Sequence, residues 1–215
     1  MNAYVGKERI SDTHYSITFD LQKFVEVQKQ IATKYESEED FICMNKGCKD
    51  FINRFDRYIL HCLEEIIEAR EEIRKKTTSQ ESLMELIDIL MYLGTMNSII
   101  TTNLDYFHMQ TQSILDIDYL VTTKTPNQID NVLMDISELL VETRRMFPQR
   151  KWHKPSNDFP ELQVKYIMND IYHKNIEAIK LVLELILSCA KLRQNDISEA
   201  INTKQQFILN LPIPQ

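Results

Sequence analysis

The length, composition and charge of this chain already exclude several classes of protein. It has 215 residues, 43% of them hydrophobic, which is enough for one sizeable core in a single domain covering residues 1–215. Its formal net charge of −7 argues against a broad basic surface for nucleic acid or an anionic membrane. Four cysteines without paired short spacing are typical of reduced thiols. We therefore expect a soluble, cytoplasmic protein that binds neither membrane nor nucleic acid.

Glycine and proline are scarce in the first half of the chain, which predicts long helices. Only three glycines are present, and no proline precedes Pro126. Apolar residues recur every three or four positions in residues 19–35, in residues 50–76 and again up to about residue 103. These stretches predict three helices, with a capping box over residues 78–81 before the third. Residues 104–126 are mixed and turn-rich, and we interpret them as a connection.

The second half of the chain shows the same helical periodicity. Helices are predicted over residues 128–146, 161–194 and 196–209, and a loop with three prolines separates the first two. The predicted fold class is therefore all-α. In this interpretation residues 19–103 form the catalytic helices and residues 128–209 form a second helical half.

Two carboxylates lie in the most apolar stretch of the chain. Glu85 and Asp88 share one face within residues 83–93, a run that is hydrophobic around nearly the whole helix. Burying ionised carboxylates without partners costs several kcal/mol each, so the pair needs donors, cations or a metal. The preceding helix carries Glu65 and Glu68 on one face, and a short turn would make the two helices antiparallel. Four converging carboxylates predict a site for Mg²⁺, or for Mn²⁺ in its place.

The competing interpretation is a solvated acidic helix face. Glu64, Glu71 and Glu72 are expected to be solvated and to pair with the arginines and lysines that follow them. The same explanation is weaker for Glu85 and Asp88, because no basic residue lies between residues 83 and 103. The metal interpretation is therefore favoured for the four acids with paired spacing.

This paired spacing resembles a known family. Glu65-x-x-Glu68 followed by Glu85-x-x-Asp88 resembles the acidic signature of the all-α nucleoside triphosphate pyrophosphatases, the superfamily of MazG and of the dimeric dUTPases and phage dCTPases. The first helix, with Gln28, looks like the glutamine-bearing first helix of the dUTPase and dCTPase branch. The resemblance implies a helical bundle of that type, a homodimer, metal ligation and catalysis by the four acids, and a place for Gln28 in the nucleotide pocket.

The second half echoes the acidic spacing of the first. Asp135 and Glu138 stand at the positions of the first acidic pair, and Ile167 and Asp170 at those of the second. One ligand position has thus become isoleucine. The pattern indicates a duplicated helical hairpin whose second metal site is degenerate, as the resemblance implies for the dUTPase branch, and chance similarity between amphipathic helices explains it equally well.

The residues that would contact phosphate and base are less well defined. Lys75, Lys154 and Lys204 are candidates for phosphate contact, with ordinary surface solvation as the alternative for each. Trp152 is a candidate for stacking on a base, or it is a packing anchor. Gln28 either reads a pyrimidine edge or lies on a solvated helix face. The chain lacks the branch's tryptophan-rich basic stretch and its C-terminal Gly-Tyr, which leaves base selection open.

The predicted function is magnesium-dependent hydrolysis of a (deoxy)nucleoside triphosphate to the monophosphate and pyrophosphate, with dUTP or a related pyrimidine deoxynucleotide as the substrate. One of the four acids, or Glu64, would position the attacking water. Three alternatives remain: a broad MazG-like house-cleaning pyrophosphatase, a catalytically inactive helical interaction protein on the same fold, and a carboxylate-bound iron bundle. The last lacks a Glu-x-x-His motif.

Overall fold

Six long helices and a small antiparallel sheet make up the described part of the chain. The computed structural model describes residues 4–9, 14–35, 48–75, 80–106, 108–120, 124–147, 161–190 and 194–212. The helices are α1 (Leu21–Tyr35), α2 (Cys48–Lys75), α3 (Gln80–Tyr106), α4 (Pro126–Met146), α5 (Glu161–Ala190) and α6 (Gln194–Asn210). The strands are β1 (Val5–Arg9), β2 (His14–Asp20) and β3 (Ile114–Leu120). The predicted helices are thus confirmed to within a few residues at each end.

The all-α prediction is confirmed in outline, because the described residues are mostly helical, but it missed a small three-stranded sheet. β2 is the central strand and pairs antiparallel with β1 and with β3, which places Ile17 opposite Ile117. Side chains alternate along β3, where Leu115 and Ile117 are buried and Asp116 is exposed. Such alternation over a few residues is too short to predict a strand by itself. The turn-forming residues around β3 favour a connection instead.

α3 is the central helix of the fold. It packs against α1, α2, α5 and α6. Among the described residues one segment, Gln80–Asp105, is long and apolar enough to cross a membrane, and 72% of its most apolar window is buried inside the protein. That degree of burial is what the core helix of a helical bundle shows.

Gly94 sets the close approach of α1 to α3. A Cβ atom at this position would lie 2.4 Å from the ring of Phe24 and 2.9 Å from the side chain of Gln28. Since real Cβ atoms do not make contacts this short, a larger residue would push the two helices apart. The glycine therefore lets α1 lie directly on the α3 backbone.

Polar contacts fix the second helical hairpin against the first. Arg70 of α2 forms a two-point ion pair with Asp130 of α4, and its Nη2 lies 3.1 Å from Asp130 Oδ2. In the core, Asn97 of α3 donates to Asn175 of α5 at 2.9 Å. Thr125 caps α4 through a capping box with Gln128. The helix therefore begins at Pro126, two residues earlier than predicted. These contacts hold α2, α3, α4 and α5 in one bundle.

Candidate metal centre

Three of the four predicted acids converge where α2 faces α3. The connection between these helices is short, residues 76–79, so the helices run antiparallel and their acidic faces meet. One carboxylate oxygen each of Glu65, Glu68 and Glu85 lies within 4.8 Å of the other two. Within the described ranges this is the one group of three or more potential metal ligands as close as this. The paired spacing therefore predicted a real juxtaposition of side chains.

Asp88 stands beside this three-acid cluster but has a different partner. Both of its carboxylate oxygens lie 2.7 Å from Nζ of Lys204, which α6 brings in from 116 positions further along the chain. The side chains of Lys204 and Asp88 are only 23% and 17% exposed, so the pair is largely shielded from water. Ordinary surface solvation, the alternative considered for Lys204, is therefore wrong.

The three-acid cluster is electrostatically strained without a cation. Burial, followed by the negative charges of Asp88, Glu68 and Glu85, raises the pKa of Glu65 to about 7. Burial and the charges of Asp88 and Glu68 likewise raise the pKa of Glu85, against the effect of a hydrogen bond to Glu65. Among the described residues, the ammonium of Lys204 is the one positive charge that lowers the pKa of these two acids. The cluster therefore has more negative charge than its partners neutralise.

A tyrosine hydroxyl lies beside the cluster. Tyr92 follows Asp88 by one helical turn, and burial together with the charges of Glu65 and Asp88 raises its pKa to about 12. Its ring stacks on that of His61 with centroids 5.8 Å apart, and His61 Nδ1 lies 2.9 Å from Glu64 Oε2. Tyr92 thus presents a neutral hydroxyl beside the acids. Tyr92 is not among the site residues predicted from the sequence, although it lies four residues from Asp88 on the same helix.

Buried Cys62 lies one turn before Glu65 on α2. Its Sγ is directed to the carbonyl oxygen of Ile89 at 3.9 Å. Burial, with a smaller contribution from Glu65, raises the pKa of the thiol well above its ordinary range. Cys62 therefore remains an unreactive thiol that packs the wall of the centre.

The cluster fits a small divalent cation by chemistry and by size. Mg²⁺ prefers carboxylate oxygens at about 2.1 Å, so two of its ligand oxygens are at most about 4.2 Å apart. Adjacent ligand oxygens of an octahedral ion are about 3 Å apart, so the three oxygens, which lie within 4.8 Å of one another, would need to close by up to about 2 Å. Glu68 is exposed and Glu65 and Glu85 are half-buried, so one side of the cluster opens to solvent and leaves room for water or phosphate oxygens. Glu65, Glu68 and Glu85 are therefore the residues that would hold the ion.

The remaining predicted site residues lie apart from this cluster. Gln28 is 1% exposed; its Nε2 lies 3.1 Å from Met91 Sδ, and its Oε1 accepts a hydrogen bond from Thr95. The solvated helix face considered for Gln28 is thus wrong. Lys75, at the exposed end of α2, pairs with Glu72 at 2.6 Å and does not reach the acids. Trp152 and Lys154 lie outside the described residues.

The second hairpin does not reproduce the acid-to-acid geometry. Lys174 of α5 pairs with Glu142 of α4, and Lys124, just before α4, acts on the pKa of Glu184 near the end of α5, so the helices are antiparallel. Within the described residues, no group of three or more potential metal ligands forms on these two helices. Asp135, Glu138 and Asp170 are all exposed. The second hairpin therefore has no counterpart of the three-acid cluster among the described residues.

Comparison with protein-family models, with curated proteins and with solved structures found no match for this chain in any of the three.

Proposed function

We propose that this protein hydrolyses a nucleoside triphosphate to the monophosphate and pyrophosphate in a reaction that depends on a divalent cation. The observation that carries the proposal is the convergence of Glu65, Glu68 and Glu85 between two antiparallel helices. Acids at this spacing resemble those of the all-α nucleoside triphosphate pyrophosphatases, and the mostly helical bundle is compatible with that fold type. A homodimer belongs to the same proposal, because the resemblance implies one.

The metal-binding role follows from the charge of the cluster. Glu65, Glu68 and Glu85 would hold Mg²⁺, which when bound supplies positive charge to phosphate oxygens and lowers the pKa of a coordinated water. Burial, and then repulsion from neighbouring carboxylates that include Glu68 and Glu85, raises the pKa of Glu65 in the metal-free protein. A divalent ion replaces that repulsion with attraction, so binding should be strong and should displace protons.

Asp88 and Lys204 would act on the substrate from beside the three-acid cluster. Lys204 would donate to a phosphate oxygen once a triphosphate enters; its ion pair with Asp88 beside the cluster supports this role. Asp88, released from the lysine, would then accept a hydrogen bond from the attacking water and orient it toward phosphorus. The pair is thus a candidate device for coupling phosphate binding to positioning of the nucleophile.

A magnesium-dependent pyrophosphate assay tests this function. The purified protein is incubated with dUTP, dCTP, dTTP, dATP and dGTP in turn, and with a non-standard nucleotide. We expect pyrophosphate release with at least one pyrimidine deoxynucleotide and none after chelation. Turnover across the whole panel would instead indicate a house-cleaning pyrophosphatase. Failure of every substrate in a protein with intact helix content would contradict both enzymatic functions.

One observation favours a catalytically inactive interaction protein as the second candidate. Both oxygens of Asp88 are already satisfied by Lys204, so this part of the centre is complete without ligand. Metal titration separates the two candidates. An inactive protein would keep this ion pair for its structure alone. Mg²⁺ would not stabilise such a protein, and replacing the exposed Glu68 by glutamine would not disturb its helix packing.

A further inference from the structure

A second polar cleft lies on the other side of α3 from the acids. It has a volume of about 310 Å³ and is formed by α1, the C-terminal half of α3 and residues 111–113. Asn97, which lines it, follows Asp88 by nine residues, which places it half a turn around the helix and about 13 Å along it. The cleft is therefore separate from the candidate metal centre.

Hydrogen bonds hold the walls of this cleft in place. The backbone N–H of Gln22 donates to the carbonyl of Ser113 at 3.0 Å. This bond joins the start of α1 to residues 111–113, which form the wall of the cleft just before β3. The N–H of Gln112 donates to the hydroxyl of Tyr172 at 2.6 Å. His108, with φ of 54°, ends α3 by adopting the left-handed region, and its N–H bonds to the carbonyl of Asp105. The cleft is thus a built feature of the fold.

Asn97, one of the residues that line the cleft, carries an unsatisfied acceptor. The residue is fully buried, and its Oδ1 has no hydrogen-bond partner among the described residues. The orientation of the amide is fixed, because Asn97 Nδ2 donates to Asn175 Oδ1 and Asn175 Nδ2 donates in turn to the carbonyl of Leu93. Reversing both amides would set an oxygen against that carbonyl. A buried acceptor without a partner is costly, and a donor from a ligand would relieve the cost.

Two threonines add further acceptors. The hydroxyl of Thr101 donates to the carbonyls of Asn97 and Ser98 at 2.9 and 3.1 Å, and that of Thr102 donates to the carbonyl of Ser98 at 2.8 Å. Each hydroxyl has a single proton, which these backbone bonds use, so only lone pairs face a ligand. Asn97, Thr101 and Thr102 therefore offer three acceptors, as many as a primary ammonium has donors.

The charges around the cleft also favour a cation. Its lining includes the carboxylates of Glu26 and Asp105 and one ammonium, that of Lys29. Asp105 lies in the last turn of α3, which has no basic residue to balance the negative end of the helix dipole. The opposite dipole end, at the start of α1, is already capped by Asp20, whose Oδ1 accepts from the N–H of Lys23 at 3.0 Å. Leu21 and Val25 provide an apolar wall between these groups.

We propose that this cleft binds a small alkylamine, with a primary ammonium group directed to Asn97, Thr101 and Thr102, its methylene chain against Leu21 and Val25, and Asp105 at the open end. From Asn97 to Asp105 the helix rises by about 12 Å, so a short linear diamine or triamine can reach both ends. The proposal is independent of the nucleotide chemistry.

Calorimetric titration of the full chain with putrescine and spermidine tests the proposal. We expect saturable binding by at least one of them, and none by 1,4-butanediol, which has the same chain length without charge. Replacing the terminal N–H donors by methyl groups, as in N,N,N′,N′-tetramethylputrescine, should weaken binding about tenfold, since bonds to charged donors contribute most of the recognition.

Variants locate the amine and separate it from the acidic cluster, which would also attract cations. Thr101→Val should weaken binding about tenfold and Asp105→Asn about threefold. Thr33→Val is the matched control, because Thr33 makes the same backbone bonds on α1 outside the cleft. Glu85→Gln should leave amine binding unchanged. Absence of saturable binding by either amine, or binding that survives Thr101→Val and Asp105→Asn but is lost in Glu85→Gln, would overturn the proposal.

Discussion

The α2–α3 and α4–α5 hairpins carry similar acidic spacings but differ in what those acids contact. In α2–α3 the two acidic pairs face each other, and oxygens of Glu65, Glu68 and Glu85 lie within 4.8 Å of one another. In α4–α5, Glu138 and Asp170 are exposed, and no group of three or more potential metal ligands forms among the described residues. The comparison teaches that an i, i+3 acidic pair becomes a candidate metal site only when a second helix places another pair opposite it in a partly buried setting.

The largest expected difference between the hairpins is in catalysis. Glu85→Gln or Asp88→Asn should lower pyrophosphate release by about 100-fold or more, because each removes a charge from the centre while keeping its shape. Asp170→Asn, the matched change in α5, should have no effect. Steady-state kinetics, with circular dichroism as the control for helix content, measures this. Activity retained in both Glu85→Gln and Asp88→Asn would refute the site assignment.

The second prediction concerns Lys204, for which the α4–α5 hairpin has no described equivalent beside its acids. Lys204→Met should lower kcat/KM by about tenfold or more, since a charged donor to phosphate is lost. The same change should tighten Mg²⁺ binding in the absence of nucleotide, because the Lys204 ammonium no longer competes with the ion for the negative charge of the acids. Kinetics and metal titration together measure the two opposite effects.

Lys75→Met is the control for Lys204→Met, because Lys75 pairs with Glu72 away from the acids. It should change neither quantity. Equal losses in the two variants would mean that Lys204 contributes only general surface charge.

The third prediction is the pH dependence of stability in the metal-free protein. The pKa of Glu65 is about 7 in the folded state, above its ordinary value, so the folded state binds more protons than the unfolded state between those two pKa values. Stability should therefore fall as pH rises from about 5 through about 7. We expect a lower Tm at about pH 8 than at about pH 5.5 in chelator.

Glu65→Gln should flatten that pH dependence, and saturating Mg²⁺ should do so in the wild-type chain. Asp130 behaves oppositely, because the hydrogen bond from Arg70 lowers its pKa and its contribution is lost only in acid, below this pH range. Asp130→Asn is therefore the control that should retain the slope. A Tm that rises steadily toward about pH 8 without metal would contradict the conclusion that the acids repel one another in the folded protein.

The smallest expected effect comes from restoring the missing acid in the second hairpin. Ile167→Glu completes the acidic spacing of α4–α5, yet the acids already present there are exposed and form no group of potential metal ligands among the described residues. Metal titration of this variant should therefore give the same number of bound Mg²⁺ ions as the wild-type chain. An additional bound ion that disappears on Asp170→Asn would revive the duplicated site and break the comparison.

The sequence by itself determined the helices and the acids of the centre. Helical periodicity is a local property, so it located six helices to within a few residues at most ends. Glu85 and Asp88 were expected at the edge of a packed interior, and Leu86, Ile87, Ile89 and Leu90 around them are indeed fully buried. The spacing of the acidic pairs and a short connection were sufficient to predict that they would meet.

The tertiary structure alone decided the partners of these groups. The ion pair of Asp88 with Lys204 joins positions 116 residues apart, and β3 joins β2 across most of the first half of the chain. The burial of Gln28 depends on Gly94, which lets α1 approach α3. Contacts of this kind depend on how whole helices pack, and no local periodicity records them. The carboxylates were therefore predictable from the chain, whereas the cation that balances one of them became visible only once α6 was in place.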